Sequence, residues 1–301
     1  DAIEYDNFDK LTLCDFALKS VPDFRGRTTD GSIATDHMSA VLLRIRTFES
    51  REAKYDYGGS KDCIPNHSET FYQLLSEGTY NDPNKKDTYH PEWWPTDSLQ
   101  FCLTNEEAIK EFIKNSITYV DTYPDAEYFH ISECDGAGWC QCETCKAEQS
   151  AYGISGYKIR FTNKIIEAIE EHLKKTDPDR NLKYVMLGYG SGTIVPPVDR
   201  VTKKDTDGKE YTEYTLIDPS CMPHEKLYIQ LTPIDYCYSH AFDDPKCTYN
   251  VTLYDYIKGW TSITDRFCVY DYGVNYDHYF RYFNNFCLLY TSDAADDLTR
   301  V

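Results

Sequence analysis

The stretch "EYFHISECDGAGWCQCETC" (127–145) decides how the chain is read. It opens as a short apolar run, carries two carboxylates directly after it, and closes on cysteines spaced C-x-C-x-x-C. An apolar run of that length, bounded by acidic and glycine residues, reads as a buried strand. Behind the cysteines, Tyr157, Phe161, Ile165, Ile169 and Leu173 recur at four-residue steps, the stripe of a helix packed on a core. Strand, acidic loop and helix in that order make one βα unit.

The same unit recurs along the chain. "FRGR" (24–27), "VLLRIRTF" (41–48), "LQFCL" (99–103), "LKYVMLGY" (182–189), "LYIQLT" (227–232) and "FCVYDY" (267–272) bring the strand candidates to seven. Thr104 and Glu107 of "TNEE" (104–107) read as a capping box. The helix it opens places Ile109, Phe112, Ile113, Ile117 and Val120 on one face. The segment 196–224 is polar and reads as an irregular surface insertion. Repeated βα units predict an α/β fold, a TIM-barrel-like (β/α)8 domain over residues 1–286 that is truncated before its last strand. A doubly wound sheet is the runner-up. It would carry a glycine-rich nucleotide turn after its first strand, and neither "PDFRGRTTDG" (22–31) nor "GYGSG" (188–192) has that spacing.

Composition narrows the function classes. The formal charge of −19 leaves no basic face for phosphates, so no nucleic-acid partner is expected. No apolar run approaches the roughly 20 residues a bilayer span requires. Aromatic residues reach 15%, which suits a tyrosine-rich core and equally suits neutral sugars, whose C–H faces stack on rings while carboxylates accept their hydroxyls. Twelve cysteines leave the redox compartment open. Absence of a leader says nothing, because the chain opens at Asp1 without an initiator methionine.

In such barrels the site lies at the carboxyl ends of the strands. Glu133 and Asp135 follow one strand, Asp235 follows another, and Asp271 lies near the end of a third, which makes these four the candidate catalytic residues. Strand alternation would turn Glu133 and Asp135 to one side. Paired carboxylates are what glycoside hydrolysis needs, one as proton donor and the other stabilising or capturing the oxocarbenium-like centre. Trp93, Trp94, Trp139, Tyr238, His240, Tyr272 and Asn275 are the candidate substrate-binding residues, with core packing the alternative for the aromatic ones. No cofactor is required by this chemistry. Cys140, Cys142 and Cys145 fit three ligands of a structural zinc, with Cys134, Cys237, His240 or Cys247 as a fourth. A disulfide clasp or buried free thiols are the other readings of the same residues.

"SECDGAGWCQCETCKAEQSAYGISGYKIRFTN" (132–163) resembles the signature of secreted bacterial proteins in domain of unknown function family 4838. Some of these are classed with glycoside hydrolase family 163, endo-β-N-acetylglucosaminidases of complex N-glycans. "HPEWW" (90–94), "QFCLTN" (100–105), "DYCYSH" (235–240), "KGW" (258–260) and "VYDYGVNYDHY" (269–279) extend the likeness in order. The resemblance implies a barrel glycosidase, exported to the periplasm, cell surface or medium, with a glycan or glycoprotein as its partner. Ser132 and Asp135 match the motif, whereas Glu133 stands where the family often has Gln, Cys134 where it often has Asn, and Asp235 where it often has Glu. The expected activity is cleavage of an N-acetylglucosamine linkage through strand-end carboxylates, with substrate assistance by the acetamide as one route. Alternatives are an exo-hexosaminidase or α-glucuronidase-like hydrolase, and a non-catalytic carbohydrate-binding barrel. The end, "CLLYTSDAADDLTRV" (287–301), is similar to translated sequencing-adapter sequence and is expected to be non-native.

Overall fold

The structure is a computed structural model that describes residues 63–65, 70–75, 90, 92–95, 100–136, 138–190, 192–234, 236–237, 239–270, 274–275 and 278–282. The strand candidates at 24–27 and 41–48, and the tail 287–301, lie outside the described residues.

Five strands form one parallel sheet in the order β1 (Cys63–Ile64), β2 (Tyr128–His130), β3 (Lys183–Gly188), β6 (Leu227–Leu231) and β7 (Phe267–Val269). Register runs Phe129 against Tyr184, Met186 against Ile229, and Gln230 against Cys268. Each new strand joins on the same side of the last, so the order never reverses. A doubly wound sheet needs such a reversal as its ligand crevice, and the described sheet has none. Helices fill three of the four crossovers: α1 (Thr70–Leu74) and α2 (Glu106–Thr122) precede β2, α3 (Glu143–Thr176) precedes β3, and α4 (Thr248–Thr261) precedes β7. A separate antiparallel pair, β8 (Val274–Asn275) and β9 (His278–Tyr282), follows.

The helix expected behind the cysteines is α3, and Tyr157, Phe161, Ile165, Ile169 and Leu173 are all buried along it. Gly153, at φ +68°, takes the left-handed conformation that breaks α3 into two segments. On α2, Phe112 and Val120 are buried while Ile109, Ile113 and Ile117 pack partly buried against the same core. The rings of Phe71, Phe101, Phe112 and Phe161 meet one another at centroid distances of 4.9–5.8 Å, mostly edge to face. That cluster ties α1, α2 and α3 to the segment bearing Cys102.

Three local expectations are corrected. Asn105, and not Thr104, caps α2, its Oδ1 accepting the amides of Glu107 and Ala108 at 3.1 and 3.0 Å. "LQFCL" is no strand among the described residues 100–103, because Gln100 N–H donates to the Gly138 carbonyl and Cys102 N–H to that of Trp93. The polar segment 196–224 is not irregular: β4 (Val198–Lys204) and β5 (Glu210–Leu216) pair as an antiparallel ribbon, and a 3-10 turn at Pro219–Cys221 follows. Asp205 closes its tip by accepting the amides of Asp207 and Lys209.

The ribbon's base is held by α4. Trp260 Nε1 donates to the Ile194 carbonyl at 2.9 Å, and a Cβ on Gly259 would lie 2.5 Å from Pro196 Cγ. Gly259→Ala would gain up to about 1 kcal/mol of helix propensity. It is nonetheless expected to destabilise the fold by about 1–3 kcal/mol of overpacking, since a proline ring has no rotamer to yield. A urea midpoint equal to that of the parent would refute the close approach.

Candidate functional site at the end of strand β2

β2 stops at His130, and the described residues 131–136 and 138–142 cross the carboxyl edge of the sheet without regular structure. An irregular loop leaves its amides and carbonyls without a ladder, so each must find a partner. Here two neighbouring side chains, Thr70 of α1 and Gln100, supply such partners. Thr70 Oγ1 accepts the Ser132 amide at 2.7 Å and donates to the Ser132 carbonyl at 3.1 Å. Buried Gln100 accepts the Cys134 amide through Oε1 at 2.9 Å and donates through Nε2 to the Cys134 carbonyl at 2.7 Å. Gly136 and Gly138 take φ of +101° and +115°, left-handed values that let the chain turn beyond these anchors, where the Gly138 carbonyl accepts the Gln100 amide at 3.2 Å.

Glu133 and Asp135 do not face one way. Alternation holds only while a strand lasts, and β2 has ended three residues before Glu133. Glu133 is buried and forms an ion pair with Lys158 of α3, whose side chain is wholly buried. Its second oxygen accepts the Thr193 hydroxyl at 2.6 Å. Lys158 also donates to the Leu187 carbonyl at 3.3 Å. Burial pushes the Lys158 ammonium below its ordinary range, and the Glu133 charge opposes that drift. Glu133 therefore serves as an anchor between the loop, α3 and the segment after β3. Asp135 is exposed at the loop's apex, its Oδ1 accepting the Gly136 amide at 3.0 Å.

The cysteines complete the anchoring. Cys140, Cys142 and Cys145 are joined by Cys102, and the four sulfurs all lie within 4.8 Å of one another. Cys102 Sγ is 3.5 Å from Cys145 Sγ and 3.8 Å from Cys142 Sγ. A disulfide would require about 2.05 Å, whereas four thiolates at about 2.3 Å around one zinc stand about 3.8 Å apart. All four are free thiols, and the set can hold a metal ion. Tyr157 donates to Cys145 Sγ at 2.9 Å, the Thr104 hydroxyl lies 3.1 Å from the same sulfur, and Cys142 Sγ accepts the Cys145 amide at 3.4 Å. Hydrogen bonds from Cys140 and Cys145 hold the Cys102 thiol well below the ordinary cysteine range, while the same bonds push the Cys140 and Cys145 thiols above it.

The expected fourth ligands fall elsewhere. Cys134 is buried outside the group, while Cys237, His240 and Cys247 form a group of their own after β6. Trp94 is buried, stacked on Tyr72 at 5.0 Å with Nε1 donating to the Leu75 carbonyl. Trp139 is buried edge to face against Tyr157. Both pack in the core of the described residues. Trp93 is half-buried and stacks on the His90 ring at 4.0 Å. Asp235, Tyr238, Asp271 and Tyr272, and the side chain of Asn275, lie outside the described residues. Sequence reasoning missed Cys102, Gln100, Lys158 and Thr193. For Lys158 a signal existed, a lysine directly beside the apolar stripe of α3.

These elements define a class: an α/β domain with a singly wound parallel sheet, whose strand-end loop is clasped by thiols and pinned by a buried ion pair. The chain belongs to the family described as Domain of unknown function (DUF4838), whose model matches residues 6–205 and 211–292, including residues 287–292 of the tail. No curated protein and no solved structure matches the chain.

Proposed function

We propose that the chain is a glycoside hydrolase of (β/α)8 architecture, exported from the cell, that cleaves an N-acetylglucosamine linkage in glycoprotein N-glycans. The observation that carries this reading is Asp135, an exposed carboxylate at the carboxyl edge of a parallel sheet, on a loop whose backbone is held before it at Ser132 and Cys134 and after it at Gly138. Preorganised placement is what a general acid/base or an acetamide-orienting carboxylate needs. Asp235 and Asp271 follow neighbouring strands and supply the second carboxylate or the sugar contacts. Zinc at Cys102, Cys140, Cys142 and Cys145 would clasp the loop, with four protein ligands and no open position for chemistry.

Incubation of the chain with a complex-type N-glycoprotein is expected to release glycan and leave one N-acetylglucosamine on the protein. Asp135→Asn should lower that rate at least about a hundredfold, the usual scale for a lost acid/base. One observation favours a second reading, a carbohydrate-binding barrel without turnover: Glu133, the other carboxylate of the motif, is engaged in the core. Glycan binding by a folded chain that releases nothing would select it.

A further inference from the structure

We propose that Cys237, His240 and Cys247 form a second metal centre, a zinc site of two thiolates and one imidazole with its fourth position open to solvent. The two sulfurs and a ring nitrogen of His240 all lie within 4.8 Å of one another, with Cys237 Sγ 3.0 Å from His240 Nδ1. Ligands at the usual zinc distances stand about 3.5–3.8 Å apart around a tetrahedral ion. The group needs adjustments of no more than about 1 Å to accept one.

The backbone that carries the ligands is already fixed. Asn250 is completely buried on α4, and it reaches back into the loop with every atom of its amide. Its Oδ1 accepts the Cys237 amide at 2.8 Å, and its Nδ2 donates to the carbonyls of Cys237 at 3.0 Å, His240 at 2.9 Å and Ala241 at 3.2 Å. Cys247 is buried and stands at the N-cap of α4, yet its side chain makes no capping bond. A cysteine there is a poor cap, whereas Asn, Asp, Ser and Thr are good ones. A thiolate in the positive field of that helix end is well placed as a ligand.

This centre differs in kind from the four-thiol group. There, three of the four cysteines are buried and every position is filled by protein. Here His240 is exposed, Cys237 is half-buried, and no fourth Cys, His, Asp or Glu joins among the described residues. Three protein ligands plus an exchangeable one is the pattern of zinc sites that bind water, a carboxylate or another small oxygen or nitrogen donor. The loop follows β6, so the centre lies at the same carboxyl edge of the sheet as Asp135. It does not depend on the glycosidase reading.

Metal analysis of the chain purified with zinc present tests this directly. Two equivalents are expected in the parent chain, one in His240→Ala and one in Cys142→Ser. A parent holding a single equivalent still decides the matter: its loss in His240→Ala upholds the centre, and its persistence overturns it. A Cys237–Cys247 disulfide in the metal-replete protein, found by peptide mapping, also overturns it. The open position has its own readout in the cobalt-substituted chain. Azide should shift the visible cobalt bands in the parent and in Cys142→Ser, and leave those of His240→Ala unmoved; parent bands indifferent to azide would show the position closed. Cys237→Ser serves as a second variant should His240→Ala fail to fold.

Discussion

Replacing Cys102 with serine is expected to remove one equivalent of zinc and to lower the melting temperature by on the order of 10 °C. Cys102 brings the distant arm of the clasp, since the other three sulfurs come from one short stretch, 140–145. It also sits beside Phe101, whose ring lies in the aromatic cluster between α1, α2 and α3. A hard hydroxyl is a far weaker zinc ligand than a thiolate. Structural zinc in peptides without other support is worth about 10–16 kcal/mol. This domain has an apolar core of its own, so a loss of about 3–5 kcal/mol is the better expectation, large for a single substitution. At about 2–4 °C per kcal/mol for a chain of this class, that gives the shift stated. Cys134→Ser is the control, because Cys134 is as buried but lies outside the group. Equal melting of the parent with and without a strong chelator, and four titratable thiols in the native protein, would end the zinc reading.

What the sequence could reveal divides along the range of its signals. The α3 stripe and the strands β2, β3, β6 and β7 were legible because burial imposes a period on consecutive residues. The apolar run at 99–103 misled for the same reason. Burial made it apolar, but its amides bond to residues 93 and 138, and no pattern within five residues reports where an amide will bond. The ribbon β4–β5 was hidden by its own exposure. From Asp199 to Lys204 its residues are exposed, so no apolar face marked a strand. Its stability comes from cross-strand pairing, with Lys203 and Glu213 at 2.5 Å among the contacts. At the site, the local C-x-C-x-x-C was readable, whereas Cys102 lies 38 residues before Cys140, and spacing alone carries no information over that distance. Glu133 lies off the face that alternation assigns it because β2 ends at His130 and alternation ends with the strand.

The placement of Glu133 matters for function, since it changes what that residue can be asked to do. Two carboxylates side by side would share a proton-transfer task. A carboxylate paired in the core with Lys158 instead fixes the spot from which its neighbour works. On the proposed function, the loop's rigidity and the chemistry of Asp135 are then properties of different residues, and they can be separated by mutation.

Glu133→Gln is accordingly expected to cost about 3–5 kcal/mol, because it strands the Lys158 ammonium in the core while keeping an oxygen for the Thr193 hydroxyl. The cost should depend on pH, and its sign follows from Lys158. Burial already lowers the pKa of that lysine, and Glu133 is the chief group opposing the shift. Without the carboxylate, the folded state sheds the proton at a lower pH than the unfolded chain does. Between those two values the unfolded state holds more protons, so stability rises with pH. Urea midpoints of Glu133→Gln should thus approach the parent's as the pH is raised from 7 toward 10 and fall away from it below. A difference constant across that range would refute the stranded charge. Removing both partners, as Glu133→Leu with Lys158→Met, should recover most of the loss, since a buried pair often contributes little beyond its apolar replacement. If the pair's purpose is to hold Asp135, this double variant melts near the parent yet releases glycan more slowly, with kcat falling more than KM rises. A merely structural pair would restore the rate together with the stability.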